Sequence, residues 1–127
     1  MSNFRTPLAR VRGLGAARDG TQDFWHMRVT SVALVPLSIA FVLIAVSLLG
    51  RNHAAVVQIL GSPLIAMLML LFIGSVTYHM RIGMQVIIED YVHDEMRKLV
   101  LVMLNTFFAV AVALASAYAI LKLSFGV

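Results

Sequence analysis

Leu64-Ile65-Ala66-Met67-Leu68-Met69-Leu70-Leu71-Phe72-Ile73-Gly74-Ser75-Val76 carries no charge, and Tyr78-His79-Met80-Arg81-Ile82-Gly83-Met84 continues it before Glu89-Asp90-Tyr91 closes the run. A stretch this apolar and this long reads as a membrane-spanning helix. It places a histidine at depth. An ionisable side chain there is costly, so it faces protein, a cofactor or water, and it marks a functional site by default. The rest of the chain supplies this helix with an orientation and with neighbours.

Composition supports the membrane reading. The chain has 127 residues, 61% of them hydrophobic, with a mean hydropathy of +0.92. Soluble proteins run at about 45–50% apolar, and a single small domain of this size has no interior large enough to hide the surplus. With no cysteine, disulfides, a CxxCH haem attachment and iron–sulfur ligands from this chain are excluded. The formal charge of +4 and pI near 10.1 do not point to nucleic acid. Most of the basicity sits in the polar segment 1–26, with Arg5, Arg10, Arg12 and Arg18, where it serves to orient a membrane protein.

Working outward, the first span is expected at about 29–49, whose length at ~1.5 Å per residue matches the hydrocarbon core of a bilayer. Pro36 lies within it. Thr21-Gln22-Asp23 are candidates for its N-terminal cap, with Phe24 and Trp25 as interfacial aromatics. No removable signal peptide is expected. Residues 50–62 read as a short loop, and Pro63 suits the first turn of the second span, 64–88. Residues 91–96 make a turn, and the third span covers about 99–121. There Ala109, Ala113 and Ala117 form one small-residue row and Ala111, Ala115 and Ala119 another, a spacing suited to close helix packing. Arg5, Arg10, Arg12, Arg18, Arg28, Arg97 and Lys98 fall on one side, and only Arg51 and Lys122 on the other. The positive-inside rule then puts the N-terminus in the cytoplasm. All six acids, Asp19, Asp23, Glu89, Asp90, Asp94 and Glu95, share that side.

On the second span His79, Gly83, Val86 and Asp90 line one helical stripe, which Ser75 and Phe72 continue. His79 has two readings. One is an interhelical hydrogen bond. The other is haem ligation or proton transfer, which membrane depth favours. No second histidine lies at that depth, so a bis-histidine haem would need a ligand from another chain. Asp90 sits at a helix C-terminus, where the macrodipole disfavours an anion, so a cation such as Arg28 or one of a partner is expected nearby. Asp94 and Glu95, at the start of the third span, suit the dipole there. Tyr91 is either an interfacial anchor or a hydrogen-bond donor to a quinone carbonyl. Arg81, ~200° around the helix from His79, is expected to snorkel or to pair across helices.

Gln22-Asp23-Phe24, Arg28-Val29-Thr30-Ser31-Val32-Ala33-Leu34, and His79-(x)3-Gly83-Met84-Gln85-Val86-(x)3-Asp90-Tyr91-Val92 together resemble the smaller hydrophobic membrane-anchor subunits of succinate dehydrogenases, along all three spans and both loops. Two positions depart from the pattern: Gln22, where some members carry histidine, and Arg81, where some carry an aromatic residue. The resemblance implies a complex with a second anchor subunit, an iron–sulfur subunit and a flavoprotein subunit, the FAD and iron–sulfur clusters residing in those partners. It further implies that His79 is an axial ligand of haem b iron shared with the partner anchor. Arg28 would meet a haem propionate or the quinone site, Tyr91 would donate to ubiquinone, and Asp90 would be its charged neighbour.

The expectation is thus an all-α integral membrane subunit, three transmembrane helices packed with a partner anchor, that performs no chemistry alone. It would dock the hydrophilic subunits and help form the ubiquinone-reduction site in a bacterial inner membrane, the mitochondrial inner membrane being the lesser alternative. A fumarate reductase-type anchor is the nearest rival. A small proton-coupled transporter or structural membrane subunit, with His79 and Asp90 as relay or packing bond, is the rival of a different class.

Overall fold

The computed structural model describes residues 6–11 and 19–127. Among the described residues the chain forms five helices and no strand: α1 (Pro7–Val11), α2 (Asp19–Ser47), α3 (His53–Leu60), α4 (Pro63–Tyr91) and α5 (Glu95–Phe125). Three segments are long and apolar enough to cross a membrane: Phe24–Ser47, Pro63–Tyr91 and Glu95–Phe125. The all-α, three-span fold class is the one expected. Arg5, Arg12 and Arg18, which entered the charge argument, lie outside the described residues.

The boundaries differ from expectation in three places, each for a local reason. α2 is described from Asp19 on, so Thr21, Gln22 and Asp23 are positions within the helix and not the residues that precede it. The loop at 50–62 contains α3. The Asn52 side-chain oxygen accepts a hydrogen bond from the Ala55 N–H at 2.9 Å and starts that helix. The turn after α4 is only Val92–Asp94 long, because α4 runs on to Tyr91 and α5 starts at Glu95. Asp94 caps α5, accepting from the Met96 N–H at 3.1 Å, so the acids at the start of the third span are placed as the dipole favours. Pro63 occupies the first turn of α4 as expected.

Two loop contacts fix how the helices return. Arg51 Nε donates to the Ser47 carbonyl at 2.6 Å, a cation on the C-terminal end of α2 where exposed carbonyls need donors. Gly61, which ends α3, lies against α5. A Cβ there would sit 2.7 Å from the Leu123 carbonyl oxygen and 2.9 Å from that of Val57, so only glycine permits the approach.

α4 is the middle helix. It packs on α2 on one side and α5 on the other, while α2 and α5 do not touch. A row of three helices has little interior. Ala66, Ile82 and Ile88 of α4 and Ala109 and Ile120 of α5 are buried. Thr77 is the buried polar residue among them, its hydroxyl donating to the Ile73 carbonyl at 2.7 Å. Large apolar side chains such as Val42, Leu43, Leu104 and Phe107 remain exposed along the spans. With no apolar core of their own to join, they fit a surface covered by lipid or by further membrane helices.

Candidate functional site

α2 and α4 run antiparallel, and their register brings the His79 stripe onto α2. Phe72 stacks on Phe41 with ring centroids 4.6 Å apart. One level on, the Thr30 hydroxyl lies 3.0 Å from His79 Nδ1. Beyond it, a Cβ built at Gly83 would lie 4.0 Å from the Met27 side chain. So part of the face that the sequence assigns to a ligand or a close neighbour is covered by this chain's own first span.

The Thr30–His79 contact takes its polarity from the histidine tautomer. Thr30 Oγ1 also lies 2.8 Å from the His26 carbonyl and 3.1 Å from that of Met27. Carbonyls only accept, so the backbone of its own helix offers the single hydroxyl proton two acceptors. In the tautomer that carries its proton on Nδ1, the Thr30 oxygen accepts from the ring. That leaves Nε2 with its lone pair, the form in which a neutral imidazole coordinates a metal. A hydrogen bond that orients the ring through the non-ligating nitrogen is the usual support of a histidine ligand. The interhelical bond and a ligand role are compatible here: one nitrogen serves each.

A second histidine joins the same seam. His26 Nδ1 and the Tyr78 hydroxyl are 2.9 Å apart, and the rings meet edge to face at 5.8 Å. His26 thus holds α4 through its ring, and its own carbonyl anchors the Thr30 hydroxyl. Thr30, His26 and Tyr78 were not singled out from sequence. Thr30 and His26 are one turn apart on α2, and His79 and Tyr78 are adjacent on α4. Matching polar residues at equal depth on antiparallel spans was the available signal.

The other expected site residues are at the far end of α4 and are not gathered. Tyr91 is 77% exposed, and Asp90 is exposed beside it. Arg28 lies over the Phe24 ring at 4.8 Å. No ion pair joins it to Asp90 among the described residues, so the cation expected beside that carboxylate is not supplied by Arg28. Glu89 accepts a hydrogen bond from Gln85 Nε2 at 2.9 Å. His79 and Tyr91 are twelve residues apart on one helix, about 18 Å along its axis. Arg81 pairs across helices as expected, but toward α5: its Nε donates to Thr106 Oγ1 at 3.4 Å, and its carbonyl accepts from Asn105 Nδ2 at 2.9 Å.

Comparison with known proteins agrees with this layout. The model of the succinate dehydrogenase/fumarate reductase transmembrane subunit family matches residues 2–113. A succinate dehydrogenase hydrophobic membrane anchor subunit of Paracoccus denitrificans is 31% identical over 123 residues, 97% of this chain and 95% of the relative. One from Rickettsia bellii is 26% identical over 90 residues, 71% of this chain and 72% of its own length. A succinate dehydrogenase membrane anchor subunit of Reclinomonas americana is 29% identical over 98 residues, covering 75% of this chain and 82% of the relative. No solved structure gives a significant match. Three membrane-spanning helices, a histidine held at depth between two of them, and a match along nearly the whole length agree: this chain belongs to the succinate dehydrogenase/fumarate reductase transmembrane subunit family.

Proposed function

We propose that this chain is the membrane anchor of a succinate:ubiquinone oxidoreductase, in which His79 is one axial ligand of haem b. The observation that carries the reading is the Thr30 hydroxyl at Nδ1, itself committed to the His26 carbonyl. It presents a bare Nε2 at membrane depth. The other histidine on that seam, His26, is engaged through Nδ1 with the Tyr78 hydroxyl, so the second ligand comes from a partner anchor subunit. The haem, when bound, accepts and returns single electrons.

The rest of the role is shared between this chain's residues and its partners. The Tyr91 hydroxyl, exposed where α4 ends, donates a hydrogen bond to a quinone carbonyl at the membrane edge. Asp90 beside it takes a cation from a partner subunit, since Arg28 makes no ion pair with it among the described residues. Arg28 remains on the same side of the membrane, within reach of a haem propionate or the quinone headgroup. The basic N-terminal segment and the Val92–Asp94 turn lie in the cytoplasm by the positive-inside rule, on the side where the iron–sulfur and flavoprotein subunits dock. The membrane is the bacterial inner membrane. The matched family also includes fumarate reductases. That favours, as second reading, an anchor serving the opposite direction of electron flow with the same residues.

The visible spectrum of the purified complex tests the proposal. A b-type band that copurifies with this chain and is lost in His79→Ala supports it. A full band in His79→Ala removes His79 from the haem.

A further inference from the structure

Among the described residues, no carboxylate pairs with the cation at Arg81. Along α4, Arg81 is ten residues from Tyr91, about 15 Å, and Thr106 is eleven residues into α5, about 17 Å. The two therefore meet at the same depth. α4, at 29 residues, exceeds a ~30 Å hydrocarbon slab by roughly 14 Å, which puts Arg81 roughly 8 Å below the hydrocarbon edge if both ends overhang equally. Its Nε is bound to Thr106 and not turned toward the headgroups. All six acids are at positions 19, 23, 89, 90, 94 and 95. The nearest along α4, Glu89, is eight residues away, about 12 Å, and accepts from Gln85.

Beside the guanidinium is a groove of about 160 Å³ between α4 and α5, lined by Gly74, Thr77, Tyr78, Ala109, Val110 and Ala113 as well as Arg81. Its walls are largely small side chains, so another helix can approach closely, and a cation stands at one end. We infer that the α4/α5 groove seats a transmembrane helix of a different chain, one that brings an Asp or Glu side chain to Arg81. Charge selects this occupant. An intramembrane arginine almost always faces a protein interior or a water-filled cavity and is paired there, and Thr106 gives Arg81 one neutral acceptor that leaves the charge unmatched. A second copy of this chain in the same orientation brings no carboxylate to that depth. A lipid phosphate sits above the level at which Thr106 holds the guanidinium. The haem surface is a separate one, because His79 is bound to α2 and Arg81 to α5. The inference rests on charge and depth and stands independently of the haem reading.

The chain has no cysteine and Val110 is exposed in the groove, so a photo-cross-linking amino acid at Val110 is a clean probe. It is used in the full chain, purified with its native partners from membranes, and the adduct is identified by mass spectrometry. The expected adduct is a membrane-spanning peptide of another chain with Asp or Glu within about one helical turn of the attachment point. An adduct to lipid only, to a second copy, or to a helix without a carboxylate overturns the inference, as does no adduct. Arg81→Gln should lower recovery of the intact complex at least about tenfold, since removing one partner strands the other charge. Changing the identified carboxylate to its amide in the same complex should restore it. Unchanged recovery in Arg81→Gln, or an intact complex that has lost only its b-type spectrum, overturns the pairing.

Discussion

The middle and the end of α4 are built in opposite ways. At His79 the ring is half-buried, bonded to Thr30 at 3.0 Å, and backed by a hydroxyl that is itself committed to the backbone. Twelve residues on, Asp90 and Tyr91 are exposed and unsupported by α2 or α5. A metal ligand must be held in one orientation before the metal arrives, and a single chain can supply that support. On the proposed reading, a quinone site at the junction of several subunits would take its walls from the others, so one subunit alone would show only its edge. The contrast separates what this chain fixes by itself from what assembly must complete.

Breaking the built half should have the largest effect. His79→Ala removes the ligand, and the b-type absorbance of the purified complex should disappear. Retention of that absorbance would assign the ligation elsewhere. Thr30→Val keeps the shape and removes the acceptor for Nδ1–H. Loss of such a supporting bond typically costs about 10–100-fold in metal affinity, so haem content after washing should fall while Thr30→Ser stays close to wild type. Equal retention in Thr30→Val and wild type would make the hydroxyl a packing feature only.

The open half should respond less. Tyr91→Phe deletes one donor, and a hydrogen bond to a neutral acceptor is worth about 0.5–1.5 kcal/mol net. Succinate-to-quinone turnover should drop up to about tenfold by lost binding alone. Succinate oxidation by an artificial acceptor upstream of the quinone should persist. Turnover at the wild-type rate would make Tyr91 an interfacial anchor. The smallest effect belongs to Tyr78→Phe, which removes the bond to the His26 ring but leaves the His26 carbonyl on Thr30. Haem content should be unchanged. A loss matching that of Thr30→Val would show that the two bonds act as one unit.

The sequence carried the spans well because lipid imposes a length and an exclusion of charge that a linear reading detects directly. It carried His79 for the same reason, as an ionisable group where none is cheap. It did not carry Thr30 or His26. A serine or threonine in a membrane helix routinely bonds its own backbone, and only the α2/α4 register shows that Thr30 does this while also meeting His79. α3 was read as loop because eight residues give too little periodicity, and its start depends on one Asn52 side-chain bond. The open end shows the converse. Asp90 and Tyr91 were legible as a pair, yet among the described residues no ion pair joins Asp90 to α2 or α5, and Tyr91 stays exposed.

Shared ligation is the central claim, and the spectrum of the chain expressed without its partners tests it most directly. With the His26 ring engaged by Tyr78, His79 is the one imidazole of the seam left for a ligand, which predicts a folded monomer with no six-coordinate low-spin b-type spectrum. The spectrum should appear when the second anchor is coexpressed. A complete six-coordinate low-spin spectrum from the solitary monomer would contradict it, because this chain would then supply both axial ligands by itself.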